Sequence, residues 1–477
     1  MSVVIGLDLA TATVRGTAVQ AAGGAVLATA QRPMPAPVRP GDGSSRQQPR
    51  YAELARQVLA ELADRLAEGG RGPVVAISVT GTSGKVVPCD LRGRPVGAAV
   101  LYDDRSAGGE PFPRGSVPAR MALLARDPAL PPGPGRLQFT PDVVLADLAG
   151  EPLPTDTSHA LKAGIDPAGR SWEAATRAAA GRMLLPELAH PGTPVGHLSP
   201  AAAADLGLPG PVVLISGMTD GCTAQIACGA VEPGDTVGVL GTTLVLKAVA
   251  AERIESDGVY SHLAPGGWWW AGAAANLGAG ALRGFTDLPA MDLAAQAHGP
   301  ASVRCYPLTG VGERFPIADP HYRAWWSGEP RSEIDRYRAV LEAVAFTERL
   351  GLERLSGLGA PSRRHHAAGG GSRSAVWNQL RADVLGMPVH HTAEAGSGYG
   401  AAALAAAGSG GGTLAGILAD WIGRTEVVEP DPEPAERLSP AYLRWREELP
   451  PPGRPRRPET FECGTATSRR SVDGWEV

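Results

Sequence analysis

Residues 6–16, GLDLATATVRG, decide the fold of this chain of 477 residues. They join two apolar runs, residues 3–9 and residues 14–19, through a turn of small polar residues, and this pattern predicts a β-hairpin. Asp8 stands inside the first run, where an ionised carboxylate is costly to bury unless a partner neutralises it. A hydrated Mg²⁺ is one suitable partner, and an Asx turn to the following amides is the structural alternative.

A second unit of the same kind begins at residue 236, where TVGVL leads into the turn Gly241-Thr242-Thr243 and then into LVLKAV. Small residues let backbone N–H groups point at an anion, and threonine hydroxyls add further donors. Two such tips are suited to holding a polyphosphate. Because any large α/β protein contains hairpins, a pair of unrelated structural hairpins is the alternative.

Asp220 follows another buried strand pattern, VVLIS at residues 212–216, and precedes the small-residue stretch GCTAQIACGA. Strand ends that lead into a helix often carry the catalytic groups of α/β enzymes. A carboxylate here is suited to accept the proton of a substrate hydroxyl while that oxygen attacks a phosphate. The structural alternative is an aspartate that caps the helix.

Three glycines at residues 369–371 open a predicted helix, SRSAVWNQLRADVLG, for which Ser372 or Ser374 is the expected N-cap. They would let the base and ribose of a nucleotide approach the backbone, but a plain turn has the same composition. Trp377 on this helix either flanks an adenine or lies in the core. The histidine pairs at 365–366 and 390–391 lack carboxylate or cysteine companions at helical spacing, so we expect no metal site there.

The remaining chain alternates between helical and strand patterns, which is typical of an α/β fold. We expect helices at residues 51–66 and 336–350 and strands at residues 74–79 and 211–215. Residues 111–141 are rich in proline and glycine, and we expect them to be irregular. A short helix is expected to begin at the cap Ser439-Pro440, and the sequence beyond Pro450 offers no core and is expected to be mobile.

Composition narrows the class of partner. Hydrophobic residues make up 43% of the chain and charged residues 19%, which is typical of a globular protein. The formal net charge of −5 gives no general attraction to nucleic acid or to an anionic membrane, so we expect a small-molecule partner. Five scattered cysteines favour a reducing compartment, and the sequence shows neither a basic leader nor an apolar stretch of membrane length, so we expect the cytoplasm.

Taken in order, five segments resemble the FGGY family of carbohydrate kinases. GLDLATATVRG is similar to the family's first phosphate motif, VTGTSGKVVPCDLRGRPVGAAVLYDDR to its sugar-site strand pair, and SGMTDGCTAQIACGAVEPGD to the segment with its catalytic aspartate. VGVLGTTLVLK is similar to the second phosphate motif, and HHAAGGGSRSAVWNQLRADVLGMPV with YGAAALAAAG to the adenosine-site segment. Within the family, GTSG, LYDD and GVYSH look most like plant and cyanobacterial pentulose kinases regarded as D-ribulokinases.

The resemblance implies an α/β protein of the two-lobed actin/hexokinase type, a ribonuclease H-like ATPase fold with an inter-lobe cleft. We expect an N-terminal lobe at 1–229, a C-terminal lobe at 230–449 and a disordered tail at 450–477. The implied reaction is transfer of the γ-phosphoryl group of ATP, with Mg²⁺, to D-ribulose. D-xylulose as the substrate, a catalytically weak sugar-binding sensor and an ATPase with a protein client are the alternatives. We expect a monomer or homodimer without nucleic-acid or membrane partners.

The resemblance also implies residue roles. Asp220 would be the general base on the sugar hydroxyl, Asp8 with Thr11 would face Mg²⁺ and the γ-phosphate, and Ser83 would bind the sugar. The residues implied for the nucleotide and its phosphates are Thr11, Thr13, Arg15, Gly241, Thr242, Thr243, Gly369, Gly370, Ser374 and Trp377.

Three departures bear on the choice of substrate. Ala10 stands where the first phosphate motif usually has glycine. Residues 102–106 lack both the tryptophan and the final arginine of the family's W-x-D-x-R sugar motif. Residues 119–141 lack the lysine-containing helix that the resemblance leads us to expect at the sugar pocket.

Overall fold

The computed structural model describes residues 2–108, 111–166, 169–392, 396–422 and 425–449. The chain divides into two compact units, each built from several stretches of sequence. The first unit contains Met1–Pro233, His262–Trp270 and Thr392–Thr425, and the second contains Gly234–Ser261, Ala271–His391 and the described residues from Glu426 onward. Each predicted lobe is one continuous stretch of sequence, whereas the chain passes from one of these units to the other five times.

The structure contains twenty-one strands within the described residues. They are β1 (Val3–Leu9), β2 (Thr13–Gln20), β3 (Val26–Pro33), β4 (Arg46–Gln47), β5 (Val74–Gly81), β6 (Val87–Cys89), β7 (Ala99–Val100), β8 (Arg136–Gln138), β9 (Thr155–Asp156), β10 (Leu188–Ala189), β11 (Pro194–His197), β12 (Val213–Ile215), β13 (Asp235–Leu240), β14 (Leu244–Ala250), β15 (Val259–Leu263), β16 (Trp269–Ala274), β17 (Cys305–Tyr306), β18 (Trp325–Trp326), β19 (Arg364–Ala368), β20 (Val389–His391) and β21 (Glu426–Val428).

The described residues also form thirteen α-helices. They are α1 (Tyr51–Glu68), α2 (Val117–Ala125), α3 (Thr140–Ala149), α4 (Thr157–Ala160), α5 (Ala174–Ala180), α6 (Pro200–Asp205), α7 (Asp220–Ala227), α8 (Leu288–His298), α9 (Glu333–Gly357), α10 (Ala375–Leu385), α11 (Ser397–Ala406), α12 (Leu414–Trp421) and α13 (Pro432–Glu447). Short 3₁₀ segments occur at Leu161–Ala163, Pro265–Gly267, Ala279–Leu282 and Gly370–Arg373, and a π turn at Ala407–Gly411.

The first unit is built around a six-stranded sheet with the order β11-β12-β5-β1-β2-β3. Strands β12, β5 and β1 run parallel, while β2, β3 and β11 are antiparallel to their neighbours. Helix α1 packs on β2 and β3, since Leu54, Val58 and Leu62 recur at helical spacing and are all buried. Helix α11 packs against β1 and α7, and its residues Gly398–Ala406 are buried.

The second unit is built around a seven-stranded sheet with the order β15-β16-β14-β13-β19-β20-β21. The long helix α9 packs on β14 and α10, and most of its residues from Tyr337 to Leu352 are buried. Glu348 on α9 accepts two hydrogen bonds of 2.7 Å from Arg381 and one of 3.0 Å from His365. Burial alone would raise the pKa of Glu348, but Arg381 and His365 outweigh it and lower that pKa to about 2.

Several sequence predictions of elements are confirmed. Both hairpins form, β1 with β2 and β13 with β14, and the predicted helices correspond to α1, α9 and α10. The predicted strands correspond to β5 and β12. Ser374, one of the two expected caps, is the N-cap of α10 and accepts a hydrogen bond from the amide of Trp377.

Two predictions of elements are wrong. Residues 111–141 are not irregular, because α2 and β8 lie within them. Ser116 caps α2 by accepting a hydrogen bond from the amide of Ala119. The proline of α2 lies in the first turn of the helix, where a missing N–H costs little. The last helix does not begin at Ser439. It starts at Pro432 after the cap Asp431 and runs through Pro440, because buried side chains before and after the proline anchor it: Leu438, Tyr442 and Trp445.

The predicted mobile tail, 450–477, lies outside the described residues. Across the ranges that the structure describes, no single helix has the length and apolar character needed to cross a membrane. One helix pair, Ser397–Gly411 with Leu414–Trp421, meets that test jointly but is bent by 119°. In this pair α11 is a buried core helix, which passes the same test by composition.

Candidate active site

Parallel strands bring Asp8 and Asp220 to one edge of the first sheet. Strands β1 and β5 pair in a register that sets Asp8 opposite Thr80 and Leu9 opposite Gly81. The backbone just before Asp220 continues this alignment, since Gly81 forms a parallel bridge with Thr219. Because the carboxyl ends of parallel strands share one edge, the two aspartates converge there, and the electrostatic effect of Asp220 on Asp8 reflects their proximity.

The loop that carries Asp220 is fixed by close contacts with β5. Gly217 permits this approach, because a Cβ atom at that position would lie 1.9 Å from the carbonyl oxygen of Val79. The hydroxyl of Thr80 donates to the carbonyl of Met218 at 2.6 Å and shares a 3.0 Å hydrogen bond with the hydroxyl of Thr223. The carboxylate of Asp220 is thus carried on a restrained backbone.

Asp220 is the first residue of α7, and Thr219 occupies the N-cap position. The Oδ1 atom of Asp220 accepts from the amide of Gly221 at 2.7 Å, and the side chain is partly exposed. The alternative of a helix-capping aspartate is therefore correct in position only, because Asp220 lies at the start of the helix but Thr219 is its N-cap. Its accessible carboxylate lies at the N-terminal end of the helix, where a negative charge is stabilised.

Asp8 is 5% exposed, and its carboxylate has one hydrogen-bond donor among the described residues, the hydroxyl of Ser397 at 3.2 Å from Oδ2. Its Oδ1 atom is buried without a hydrogen-bond partner in the same set, so the Asx turn given as the alternative is not formed. Burial, and next the negative charge of Asp220, raise the pKa of Asp8 to about 6; Arg15, Ser397 and Lys85 oppose this shift.

Lys85 completes the cluster and was missed from the sequence. Its side chain is fully buried at 0% exposure, and its Nζ atom has no hydrogen-bond partner within the described ranges. Burial lowers the pKa of Lys85 to about 8, while the charges of Asp220, Asp8 and Asp103 favour the protonated form. A lysine between a glycine-rich turn and an apolar strand pattern, GTSGKVVP, was the available signal.

The tip of the first hairpin and the turn after β5 carry the other polar residues predicted for the first-unit site. The carbonyl of Thr11 accepts from the side-chain amide of Gln47 at 2.8 Å, and the hydroxyl of Thr13 is buried without a partner among the described residues. Arg15 is exposed and acts on Asp8 through its charge. Ser83 accepts a hydrogen bond of 3.0 Å from Lys162.

A buried histidine anchors the turn that carries Ser83 and Lys85. His159 donates from Nε2 to the carbonyl of Gly81 at 3.0 Å and from Nδ1 to Asp156 at 2.7 Å, so both ring nitrogens carry protons. Burial alone would lower the pKa of His159, but Asp156 and Asp142 outweigh it and raise that pKa to about 9. Burial in turn raises the pKa of Asp142 to about 7.

In the second unit, the turn of the second hairpin is held by a neighbouring glycine segment. The amides of Ala279 and Gly280 donate to the carbonyls of Gly241 and Thr242 at 2.9 and 3.0 Å, which leaves the exposed side chain of Thr242 free to project from the turn. A Cβ atom on Gly278 would lie 2.5 Å from the backbone of Thr243. Compact backbone of this kind is suited to binding an anion.

The glycines after β19 are also in the second unit. Gly369 has a φ of +83°, and a Cβ atom there would lie 2.7 Å from the carbonyl of Leu240 at the end of β13. Gly370 is exposed and has nothing within 4 Å of a Cβ position. These two glycines therefore lie beside the second hairpin, as a backbone-lined phosphate or nucleotide site requires.

The other two residues predicted for the nucleotide have structural partners. Ser374 donates to Asp292 at 2.6 Å while it caps α10. Trp377 is 2% exposed, belongs to the core of the second unit, and donates from its indole to the carbonyl of Leu341 at 3.3 Å. Its position is that of the core residue given as the alternative, and Trp377 is not among the proposed nucleotide contacts.

The histidine pairs have other roles. His365 bonds Thr236 at 2.9 Å and Glu348 at 3.0 Å, and the rings of His366 and His390 pack 5.4 Å apart. In the portion of the chain that the structure describes, no group of three or more His, Cys, Asp or Glu side chains is arranged to hold a metal. Any divalent cation at the first-unit site would therefore take most of its ligands from water and substrate.

Comparison with known proteins gives a consistent picture. Residues 236–409 match the C-terminal domain of the FGGY family of carbohydrate kinases. A xylulose kinase from Staphylococcus epidermidis is 26% identical over 267 residues, covering 52% of this chain and 53% of that protein. A ribulokinase from Mycolicibacterium smegmatis is 27% identical over 287 residues, covering 54% of this chain and 50% of that protein. The chain thus spans about half the length of these curated relatives.

The likeness in structure extends further along the chain. The solved xylulose kinase of Rhodospirillum rubrum matches with a TM-score of 0.82 and 27% sequence identity, covering 93% of this chain and 98% of the other. The predicted fold class, α/β of the two-lobed actin/hexokinase type, is confirmed by this match. Residues 236–409 are therefore similar to the C-terminal domain of the FGGY family of carbohydrate kinases, within a chain whose fold matches that of a solved xylulose kinase.

Proposed function

We propose that this protein is an ATP-dependent sugar kinase that transfers the γ-phosphoryl group of ATP to a hydroxyl of a ketopentose, with D-ribulose as the favoured substrate. The observation that carries the proposal is the convergence of Asp8 and Asp220 at one sheet edge, on backbone fixed by β1 and β5. Phosphoryl transfer depends mainly on positioning and charge, and one accessible carboxylate beside one buried carboxylate supplies both.

In this proposal Asp220 accepts the proton of the attacking sugar hydroxyl. Its carboxylate is partly exposed, and Gly221 orients it through a 2.7 Å hydrogen bond. Ser83, which lies on the turn held by His159, is proposed to hydrogen-bond the sugar. The oxygen of the deprotonated hydroxyl forms the new bond to phosphorus as the bond to the leaving oxygen of ADP breaks.

Asp8 fits a role in holding Mg²⁺. Its Oδ1 atom is buried with no hydrogen-bond partner in the described part of the chain, and hard cations prefer oxygen ligands of this kind. Mg²⁺ is often held by only one or two carboxylates, and within the described residues Asp8 is not part of a larger metal-binding cluster. When bound, the ion would supply positive charge to the phosphates of ATP.

Each unit is proposed to carry residues that bind ATP. Thr11, Thr13 and Arg15 are the proposed contacts in the first unit, and Gly241, Thr242, Thr243, Gly369 and Gly370 those in the second. The support is the compact backbone of these turns, together with the Oγ1 atom of Thr13, which is buried without a partner among the described residues. Ser374 remains a proposed neighbour through its place at the N-terminus of α10.

The choice of ketopentose is the finer part of the proposal. GTSG and LYDD favour D-ribulose by resemblance, and a ribulokinase is among the relatives. D-xylulose is the second candidate, because relatives and solved neighbours named xylulose kinase occur repeatedly in the comparisons. We place the reaction in the cytoplasm, where both ATP and a reducing environment for five cysteines are available.

The test measures ADP release with a panel of pentuloses, hexuloses and polyols, using the wild type, Asp220→Asn and the control Asp64→Asn. Asp64 lies on the exposed side of α1, so its substitution should leave the rate unchanged. Asp220→Asn should lower kcat with D-ribulose by about 10²- to 10⁴-fold, since it removes the proton acceptor. Binding of a non-hydrolysable ATP analogue, measured by calorimetry, should survive.

Three results would contradict the proposal in different ways. Equal rates in wild type and Asp220→Asn would exclude Asp220 as the base. ATP turnover that ignores every sugar would favour an ATPase with another client. Sugar binding without turnover in the wild type would indicate a sugar sensor.

A further inference from the structure

We propose that Lys85 binds the acceptor sugar by donating a hydrogen bond to its carbonyl oxygen, and that this contact makes the site select ketoses over polyols. The inference deepens the proposed function and rests on it for the location of the sugar. It concerns a residue that the motif resemblance does not assign a role.

The first step is the state of the lysine side chain. Lys85 is completely buried, and its Nζ atom has no hydrogen-bond partner in the part of the chain that the structure describes. An ammonium group carries three donors and no acceptor. Leaving such a group buried and unbonded is expensive, and a protein retains that cost mainly where a ligand or reaction uses the group.

The second step is the set of charges around the ammonium. Asp220 on α7 and Asp8 on β1 act on it most strongly, followed by Asp103 in the segment after β7. The ring of Tyr51 on α1 has its centroid 5.7 Å from Nζ, within the range of a cation–π contact. These groups keep the ammonium charged, yet no carboxylate closes a hydrogen-bonded ion pair with it among the described residues. Its donors are therefore unbonded and lie close to the proposed base.

The turn that carries Lys85 is rigid. Lys85 follows Gly84, whose φ of +81° turns the chain between Ser83 and Lys85. The carbonyl of Gly84 accepts from Arg120 at 2.9 Å, and His159 holds the carbonyl of Gly81. Arg120 is itself buried, and it lies on α2, the helix that the sequence did not predict. The ammonium is thus presented from a turn that is fixed at both sides.

The ammonium of Lys85 is chemically complementary to the carbonyl oxygen of a ketose. A carbonyl oxygen only accepts hydrogen bonds, so it matches a donor-only ammonium. A polyol hydroxyl in the same place must also direct its own proton to an acceptor. The ammonium cannot accept it, and the nearby carboxylates of Asp220 and Asp8 are assigned in the proposed function to the attacking hydroxyl and to Mg²⁺. A carboxylate would match the ammonium but would meet the negative charges of Asp8 and Asp220. A neutral ketone is therefore the favoured ligand group.

The test compares binding of D-ribulose and ribitol, measured by calorimetry in the absence of ATP, in wild type, Lys85→Met and Lys247→Met. The chain has three lysines, and Lys247, on β14 in the second unit, is the other buried one and serves as the matched control. Lys85→Met should weaken D-ribulose binding by about 10- to 100-fold and change ribitol binding by less than about 3-fold. Lys247→Met should leave both affinities near those of wild type.

The inference is overturned if wild type binds ribitol as tightly as D-ribulose, if it binds neither, or if Lys85→Met weakens both sugars equally. Should Lys85→Met not fold, Lys85→Gln serves instead, since it keeps a donor without the charge and should retain part of the preference. Binding is measured without ATP, so the two proposals can fail separately. A protein that binds D-ribulose through Lys85 but never phosphorylates it would overturn only the kinase activity.

Discussion

At the scale of single residues, Asp8 and Lys85 are coupled by burial. Each side chain is buried, and burying either charge would cost more free energy without the opposite charge of the other. Burial raises the pKa of Asp8 to about 6 and lowers the pKa of Lys85 to about 8. The state in which both are charged therefore occupies a limited range of pH.

This coupling predicts a bell-shaped dependence of kcat/KM on pH. Asp8 is ionised above about 6 and Lys85 is protonated below about 8, so activity should fall on the acid side near 6 and on the alkaline side near 8. The measurement is initial-rate ADP release with limiting D-ribulose from pH 5 to 9.5. Lys85→Met should lose the alkaline limb, and an alkaline limb of unchanged midpoint in that variant would show that another group causes it.

The residue scale is also where sequence reasoning was least complete. Asp8 and Asp220 were predicted because a charged residue inside an apolar pattern is visible in the sequence. Ser397 was missed because Asp8, which it meets, is 389 positions away, and the role of His159 because the carbonyl of Gly81 is 78 positions away. Lys85 was missed because the charges around it, Asp8 and Asp220, come from other elements. Trp377 shows the opposite limit, since a tryptophan on an amphipathic helix has the same pattern whether it contacts a ligand or the core.

At the scale of elements, α11 lies against the sheet through glycines. A Cβ atom on Gly400 would lie 1.8 Å from the carbonyl of Thr223 on α7, and one on Gly6 of β1 would lie 1.9 Å from the carbonyl of Gly398. The backbones therefore approach each other more closely than side chains permit. This contact holds Ser397 at Asp8 and α7 behind Asp220.

Gly400→Ala should consequently destabilise the first unit. Overpacking of this kind costs about 1–3 kcal/mol, and the contact here is with backbone, which has little room to move. The matched control is Gly357→Ala in α9, where a Cβ atom meets nothing within 4 Å and the change should be neutral or slightly stabilising. Urea unfolding followed by circular dichroism gives the comparison, and similar midpoints for the two variants would contradict it.

The buried His159 predicts a pH dependence of stability. Its pKa is about 9 in the folded protein, against 6.5 for the free side chain, so its contribution is complete below about 6.5 and is lost as the pH rises through about 9. The unfolding free energy should fall over this interval by at most about 1.4 kcal/mol per pH unit from this residue. His159→Gln should flatten the dependence relative to wild type, whereas His197→Gln, at an exposed position, should not.

Elements with strong local patterns were predicted well. The apolar periodicity is visible in the local sequence of both hairpins and of α1, α9 and α10. Helix α2 was hidden by prolines and glycines that flank it and by the proline in its first turn. Helix α13 was started too late because Ser-Pro resembles a helix start, although the buried stripe Leu438, Tyr442 and Trp445 continues across it.

At the scale of the whole molecule, the chain passes between its two units five times. The family domain at 236–409 therefore does not coincide with either compact unit, since it includes α11 of the first unit and most of the second. A continuous sequence match and a compact unit describe different divisions of this protein. The predicted boundary at 229/230 remains a prediction about family lobes.

This arrangement predicts that residues 1–233 will not form a stable unit alone. The fragment lacks α11, and β1 would expose the face that Gly398–Ala406 cover in the full chain. It should aggregate or show weak near-ultraviolet dichroism, while a fusion that adds residues 392–425 through a flexible linker should recover native-like signal. A monomeric 1–233 fragment with cooperative unfolding would contradict this reading of α11.

The distance in sequence between Asp8 and Ser397 also orders events on the ribosome. Asp8 on the first strand is synthesised 389 residues before Ser397, which begins the helix that covers this strand. Until then, an apolar sheet face stays uncovered on a growing chain. We therefore expect this face to need protection during translation, and the Ser397 hydroxyl can reach Asp8 only after α11 has been made.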